Sequence, residues 1–125
     1  MTSPNYDGLC ADLVGIKKII GDRIFVVDEA HGGAGYFNAD MKVNAMNAGA
    51  DMSIISTHKS LGGMNGSAIL LTSKTSKISH KKVLNAYRCL ATSSRSWNSY
   101  ADLEGLVCKM VESGKKMFAN AKLRV

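Results

Sequence analysis

Apolar residues at Leu9, Leu13, Ile16 and Ile20 recur at helical spacing while Asp12, Lys17 and Lys18 fall on other faces, so an amphipathic helix is predicted over residues 9–20. Gly21-Asp22 would end it. Ile24-Phe25-Val26-Val27 follows as a short β-branched and aromatic run without alternation, the pattern of a strand buried on both faces of a parallel sheet. Asp28 stands at its C-terminal end. A loop through Gly32-Gly33-Ala34-Gly35, a short Ala- and Met-rich helix over 41–48 and a second apolar strand from Met52 to Ser56 complete a strand, helix, strand unit. That length suits a right-handed βαβ crossover, which makes the two strands parallel and sets their C-terminal ends on one edge of the sheet. Open α/β sheets bind ligands at that edge.

Gly62-Gly63-Met64-Asn65-Gly66 leads into a third predicted strand, Ser67 to Thr72, and helices are expected over 80–90 and 100–121. Val83, Leu84, Tyr87 and Leu90 form the stripe of the first; Leu103, Leu106, Val107, Met110, Met117 and Phe118 form that of the second. Such stripes are core or interface. A sheet of three strands would leave at least one apolar edge uncovered.

The composition agrees with one soluble globular unit: 125 residues, 46% apolar and 21% charged. Sixteen Lys and Arg against ten Asp and Glu give a net charge of +6, but the excess is scattered and forms no basic tail. It reads as solvated helix faces, without a nucleic-acid partner. Cys10, Cys89 and Cys108 are odd in number and widely spaced, which suggests neither a disulfide framework nor a metal site and fits a reducing, cytoplasmic setting. Ile24 to Val27 is far short of a membrane span, and no membrane partner is expected.

Two residues carry the candidate chemistry. Lys59 lies in Ser56-Thr57-His58-Lys59, and the strand-end Asp28 lies upstream in Val27-Asp28-Glu29-Ala30-His31. Pyridoxal 5'-phosphate chemistry needs an amine that forms a Schiff base with the cofactor aldehyde and a carboxylate that keeps the pyridine nitrogen protonated. Taken alone, Lys59 would read as a solvated surface lysine, and Asp28 as a strand-end cap.

Longer strings give these residues a context. Thr2-Ser3-Pro4-Asn5-Tyr6-Asp7-Gly8, Val27-Asp28-Glu29-Ala30-His31-Gly32, Ala48-Gly49-Ala50-Asp51 and Ser56-Thr57-His58-Lys59-Ser60-Leu61 occur in that order, with a degenerate Thr92-Ser93-Ser94-Arg95-Ser96-Trp97 farther on. In order and spacing the chain resembles the large domain of the fold type I, pyridoxal phosphate-dependent ornithine, lysine and arginine decarboxylases. The resemblance implies an α/β fold, a partial large domain of this transferase type with mostly parallel strands and flanking helices. Residues 1–125 would form one partial domain, the central-to-C-terminal part of that large domain, without its N-terminal part or the small C-terminal domain.

Carried over by position, the resemblance makes Lys59 the Schiff-base lysine and Asp28 the partner of the pyridinium nitrogen. Ala30 would pack under the cofactor ring if the chain stays extended, and Ser56 and His58 would bind the phosphate. His31 would lie near the cofactor's phenolic oxygen. Thr92 and Ser93 would reach the phosphate of a neighbouring subunit, because this fold builds its site across a dimer interface. The implied activity is decarboxylation of lysine, ornithine or arginine by a homodimer or higher oligomer, and the chain is expected not to turn over by itself.

Several positions depart from the family pattern. Gly33-Ala34-Gly35-Tyr36-Phe37 replaces the usual small, histidine and aromatic continuation, the glutamine usual near Asn65-Gly66 is missing, and Arg95 and Trp97 stand for a proline and a tyrosine. These changes bear on substrate identity and leave a catalytically silent structural or dimerisation partner as the alternative. Val27 to His31 also spells the Mg²⁺-binding string of DEAH-box helicases, but the G-x-x-x-x-G-K-[ST] loop that such enzymes need is missing from these residues.

Overall fold

A computed structural model describes residues 1–38 and 44–122. Helix α1 spans Leu13–Ile20, strand β1 Val26–Asp28, a 3₁₀ turn Gly33–Tyr36, β2 Met52–Ser56, the one-turn helix α2 Thr57–Ser60, β3 Ala68–Thr72, α3 His80–Leu90 and α4 Trp97–Lys122. Helix α1 begins later than its apolar spacing suggests, because the Asp12 side chain accepts the Gly15 N–H and so fixes the helix start there. Leu9 is left exposed outside it. Gly21 ends the helix with φ of 59° and its N–H on the Lys17 carbonyl, a left-handed conformation that costs glycine little.

The sheet order is β1-β2-β3. β1 and β2 are parallel, with Val26 opposite Met52 and Asp28 opposite Ile54, as the strand, helix, strand reading requires. β3 instead runs antiparallel to β2, with Ser56 opposite Ala68 and Met52 opposite Thr72, so the described sheet is mixed rather than mostly parallel. The cause is the connection. From Thr57 to Ser67 the chain makes one helical turn and a glycine loop, short of the dozen or more residues with which a parallel crossover returns to its starting edge. The outer edge of β1 is partly covered by the opening segment: Asp28 N–H donates to the Met1 carbonyl at 2.7 Å and Ser3 N–H to the Asp28 carbonyl at 2.9 Å.

Alternation along the strands separates two faces. Val27, Ser53 and Ile55 are buried, and the core lies on their side. One cluster joins Leu13, Phe25 and Val27 to Ala45, Ala48 and Ala50; another joins Ile55 and Leu61 to Leu106 and Met110 of α4. On the opposite face Val26, Ile54 and Leu70 are each about two-fifths exposed, at 38%, 40% and 43%. Helix α3 has the predicted bounds but no buried residue, so its stripe is not core in this structure. With Met52 and Leu70 it lines an open apolar cavity of about 580 Å³.

Two further expectations change. The glycine loop closes into the 3₁₀ turn at Gly33–Tyr36, where a methyl on Gly33 would stand 2.6 Å from Ser60 Oγ and 2.9 Å from Ile55 Cγ2. Only glycine lets this turn lie against α2. Of the helix expected over 41–48, residues 41–43 lie outside the described residues, and 45–49 form turns closed by Ala48 N–H to Asn44 O and Ala50 N–H to Ala45 O. An acceptor from a distant residue, described below, holds that segment in place.

Candidate functional site

The C-terminal ends of β1 and β2 share one edge of the sheet, as parallel pairing dictates. At the end of β1 the chain does not stay extended: Gly32 N–H returns to the Glu29 carbonyl at 2.7 Å and Ala30 N–H donates to Asp28 Oδ1 at 2.9 Å. Ala30 therefore does not follow Asp28 by strand alternation, and strand parity does not set the two on one side of a cofactor ring. Asp28 is exposed. Its Oδ2 has no hydrogen-bond partner among the described residues.

At the end of β2 the chain turns at once into α2. Thr57 makes this turn: fully buried, it donates its hydroxyl to the Ser67 carbonyl at 3.1 Å, lies 2.5 Å from Ser67 Oγ, and offers its own carbonyl to the N–H groups of Leu61 and Gly63. Gly63 is required beside it, since a methyl there would meet Thr57 Oγ1 at 2.9 Å. Lys59 is thereby set exposed on a short, firmly held turn. Its Nζ lies 3.4 Å from His31 Nε2. Tyr6 completes the group, with its ring centroid 5.0 Å from that of His31 and 5.7 Å from Lys59 Nζ.

The other expected residues are placed less closely. His58, half-buried, has Nδ1 3.2 Å from the Ser67 carbonyl, so in the tautomer that donates there Nε2 is the ring atom left for a ligand. Ser56 caps α2 through its backbone without a side-chain bond, which leaves its hydroxyl available. Thr92 lines a cavity of mixed polarity, about 270 Å³, with Ser67, Tyr87, Arg95, Tyr100 and Leu103. Ser93 is exposed next to it in the chain. No contact joins Thr92 or Ser93 to Lys59 or His31, and their expected reach is to another subunit, outside a single chain.

Three residues matter that the motif reading left without a role. Glu29 is 3% exposed; its carboxylate accepts from Tyr36 Oη at 2.6 Å, Ser53 Oγ at 2.5 Å and Ala45 N–H at 2.9 Å. Three donors offset the cost of burying that carboxylate. Burial, followed by the hydrogen bond and charge of Glu29, holds the Tyr36 phenol well above its ordinary value. Asp51, also buried but at the opposite edge of the sheet, just before β2, accepts from Phe25 N–H at 2.9 Å and Lys77 N–H at 3.1 Å; the Phe25 bond is the main cause that lowers its carboxyl below the usual carboxylate range. The signal was an acidic residue inside an otherwise apolar or small-residue string, but its direction depends on the fold. Tyr6, the third, stood in a quoted motif with no chemistry attached.

The arrangement offers an amine beside an imidazole, with an acceptor-only carboxylate on the adjoining strand end. That donor set fits an aldehyde cofactor with a basic ring nitrogen: Lys59 for the aldehyde, Asp28 Oδ2 for the nitrogen. No group of three or more His, Cys, Asp or Glu among the described residues is placed to hold a metal ion. Nor is any described helix long and apolar enough to cross a membrane. Glu29 also answers the helicase reading. A carboxylate buried on three protein donors is not free to activate water at a nucleotide.

The family model for Orn/Lys/Arg decarboxylase, major domain, matches residues 1–123. An arginine decarboxylase of Bacillus anthracis is 34% identical over 117 residues, 92% of this chain and 24% of that protein. The arginine decarboxylase of Bacillus subtilis (strain 168) is 32% identical over the same shares, and that of a Bacillus cereus strain 36% identical over 104 residues, 82% of this chain and 22% of the relative. The chain thus spans about a quarter of the length of these relatives.

Proposed function

Because the chain belongs to the Orn/Lys/Arg decarboxylase family, we propose that it carries the cofactor lysine of a pyridoxal phosphate-dependent decarboxylase acting on a basic amino acid. The observation that supports this most is the approach of Lys59 Nζ to His31 Nε2 at the sheet edge where Asp28 also ends. Bound there, the cofactor would supply the electron sink that takes up the pair left when CO₂ departs. The chain's own residues do the rest. Lys59 must be deprotonated to attack a carbonyl, and His31, in the tautomer with Nε2 unprotonated, accepts from Nζ. Asp28 would hold the ring nitrogen through its free oxygen. Ser56, His58 and, from another subunit, Thr92 and Ser93 would serve the phosphate.

Arginine is the substrate named for the relatives above, and it is the first we assign here, ahead of lysine and ornithine. A homodimer or higher oligomer is part of the proposal; Leu90 and Trp97, 88% and 75% exposed, are apolar surface that such an assembly would cover. The test is stoichiometric labelling. The chain is incubated with pyridoxal phosphate, reduced with borohydride and mapped by peptide mass. Label on Lys59, lost in Lys59→Ala and reduced in Asp28→Ala, is expected. Label spread over the exposed lysines with no preference for Lys59 would overturn the proposal in favour of a silent structural relative.

A further inference from the structure

The opening loop is built more firmly than a chain terminus requires. Ser3 is buried and its Oγ accepts the Ala11 N–H at 3.0 Å, while its own N–H is held by Asp28. Asn5 then closes the loop three ways: Oδ1 accepts from Asp7 N–H and Leu9 N–H, and its N–H donates to the Leu9 carbonyl. Gly8, at φ of 79°, allows the return. All of this presents Tyr6, a residue 86% exposed. Burial contributes little to the position of that ring. The loop sets the backbone that carries it, the ring meets His31 and Lys59, and the loop is tied to the same Asp28 backbone that ends β1.

We propose that Tyr6 is a positioning residue for the Lys59 and His31 pair: its ring, tilted 65° to the imidazole at 5.0 Å and 5.7 Å from Nζ, restricts both side chains to the arrangement in which Nε2 faces the amine. An aromatic face attracts a nearby ammonium, and an edge-to-face pair favours one ring orientation over others. A lysine on an exposed turn has four rotatable bonds and no burial to order them, so contact with the ring, which has fewer rotatable bonds of its own, favours one of its positions. The Tyr6 hydroxyl has no partner among the described residues, so the ring alone acts. The functional meaning of this inference rests on the reading of Lys59 as the reactive amine; the geometry does not.

The test therefore begins without cofactor. In NMR spectra of the 125-residue chain, ring-current shifts of the Lys59 ε-methylene and His31 imidazole protons are expected to be lost in Tyr6→Ala and kept in Tyr6→Phe. Borohydride-trapped pyridoxal phosphate on Lys59, relative to the other lysines, should fall about threefold in Tyr6→Ala and recover in Tyr6→Phe. Shifts unchanged in Tyr6→Ala, or lost equally in both variants, would overturn the inference. Shifts that follow the expected pattern in a chain that takes no label at Lys59 would uphold the positioning role and reject the cofactor reading, so the two failures are told apart.

Discussion

At the C-terminal ends of β1 and β2 the buried carboxylate of Glu29 holds three donors and Thr57 ties α2 to the loop before β3, while at the opposite edge, just before β2, Asp51 holds two. Helix α3, with as clear an apolar stripe as any segment, buries none of its eleven residues. The contrast shows where local order comes from. The site edge is fixed by directional bonds between residues far apart in sequence, whereas α3 is held by its own backbone and an incomplete apolar contact. Unpaired donors in a buried region cost about 1–3 kcal/mol each, and an exposed leucine costs almost nothing to change.

The strongest way to break the contrast is to remove the carboxylate at its centre. Glu29→Ala takes their carboxylate acceptor from Tyr36 Oη, Ser53 Oγ and Ala45 N–H and is expected to cost about 3 kcal/mol in urea unfolding. It should also let Tyr36 ionise at lower pH, read as phenolate absorbance. In the native chain the Tyr36 phenol is raised, so the fold keeps its proton. The stability this provides is complete below the ordinary value of 10.0 and is lost as pH rises beyond it.

Asp51→Ala comes next, at about 2 kcal/mol, because the Phe25 and Lys77 N–H groups lose their acceptor. The sign with pH is opposite to that of Tyr36. The Asp51 carboxyl is lowered in the fold, so its contribution is present above the ordinary value of 3.8 and is lost as pH falls below it. A native chain that loses more stability than Asp51→Ala between pH 5 and pH 3 is the expected result. Equal losses would show that Asp51 does not act through its charge.

The smallest effect sharpens the other side. Leu90→Gln on α3, at a residue 88% exposed, should change stability by less than about 0.5 kcal/mol. A cost above about 1 kcal/mol, growing with protein concentration, would show that this stripe is covered by another copy in solution.

Much of the architecture was legible in the residues themselves. The bounds of β2 and α3, the parallel pairing of β1 with β2, and the placing of Lys59 and Asp28 at one sheet edge all follow from short-range patterns: apolar runs, glycine stops and the length of one crossover. The family could be read from motif order for the same reason, since its strings are local. The antiparallel return of β3, the inward turn of Glu29 and Asp51, the bend that takes Ala30 out of strand alternation, and the approach of Tyr6 to His31 and Lys59 belong to the tertiary structure alone. Each depends on where a side chain or strand meets a partner twenty or more positions away, or on which way a turn closes. Periodicity specifies what a segment can form; only packing decides which neighbour its polar atoms find.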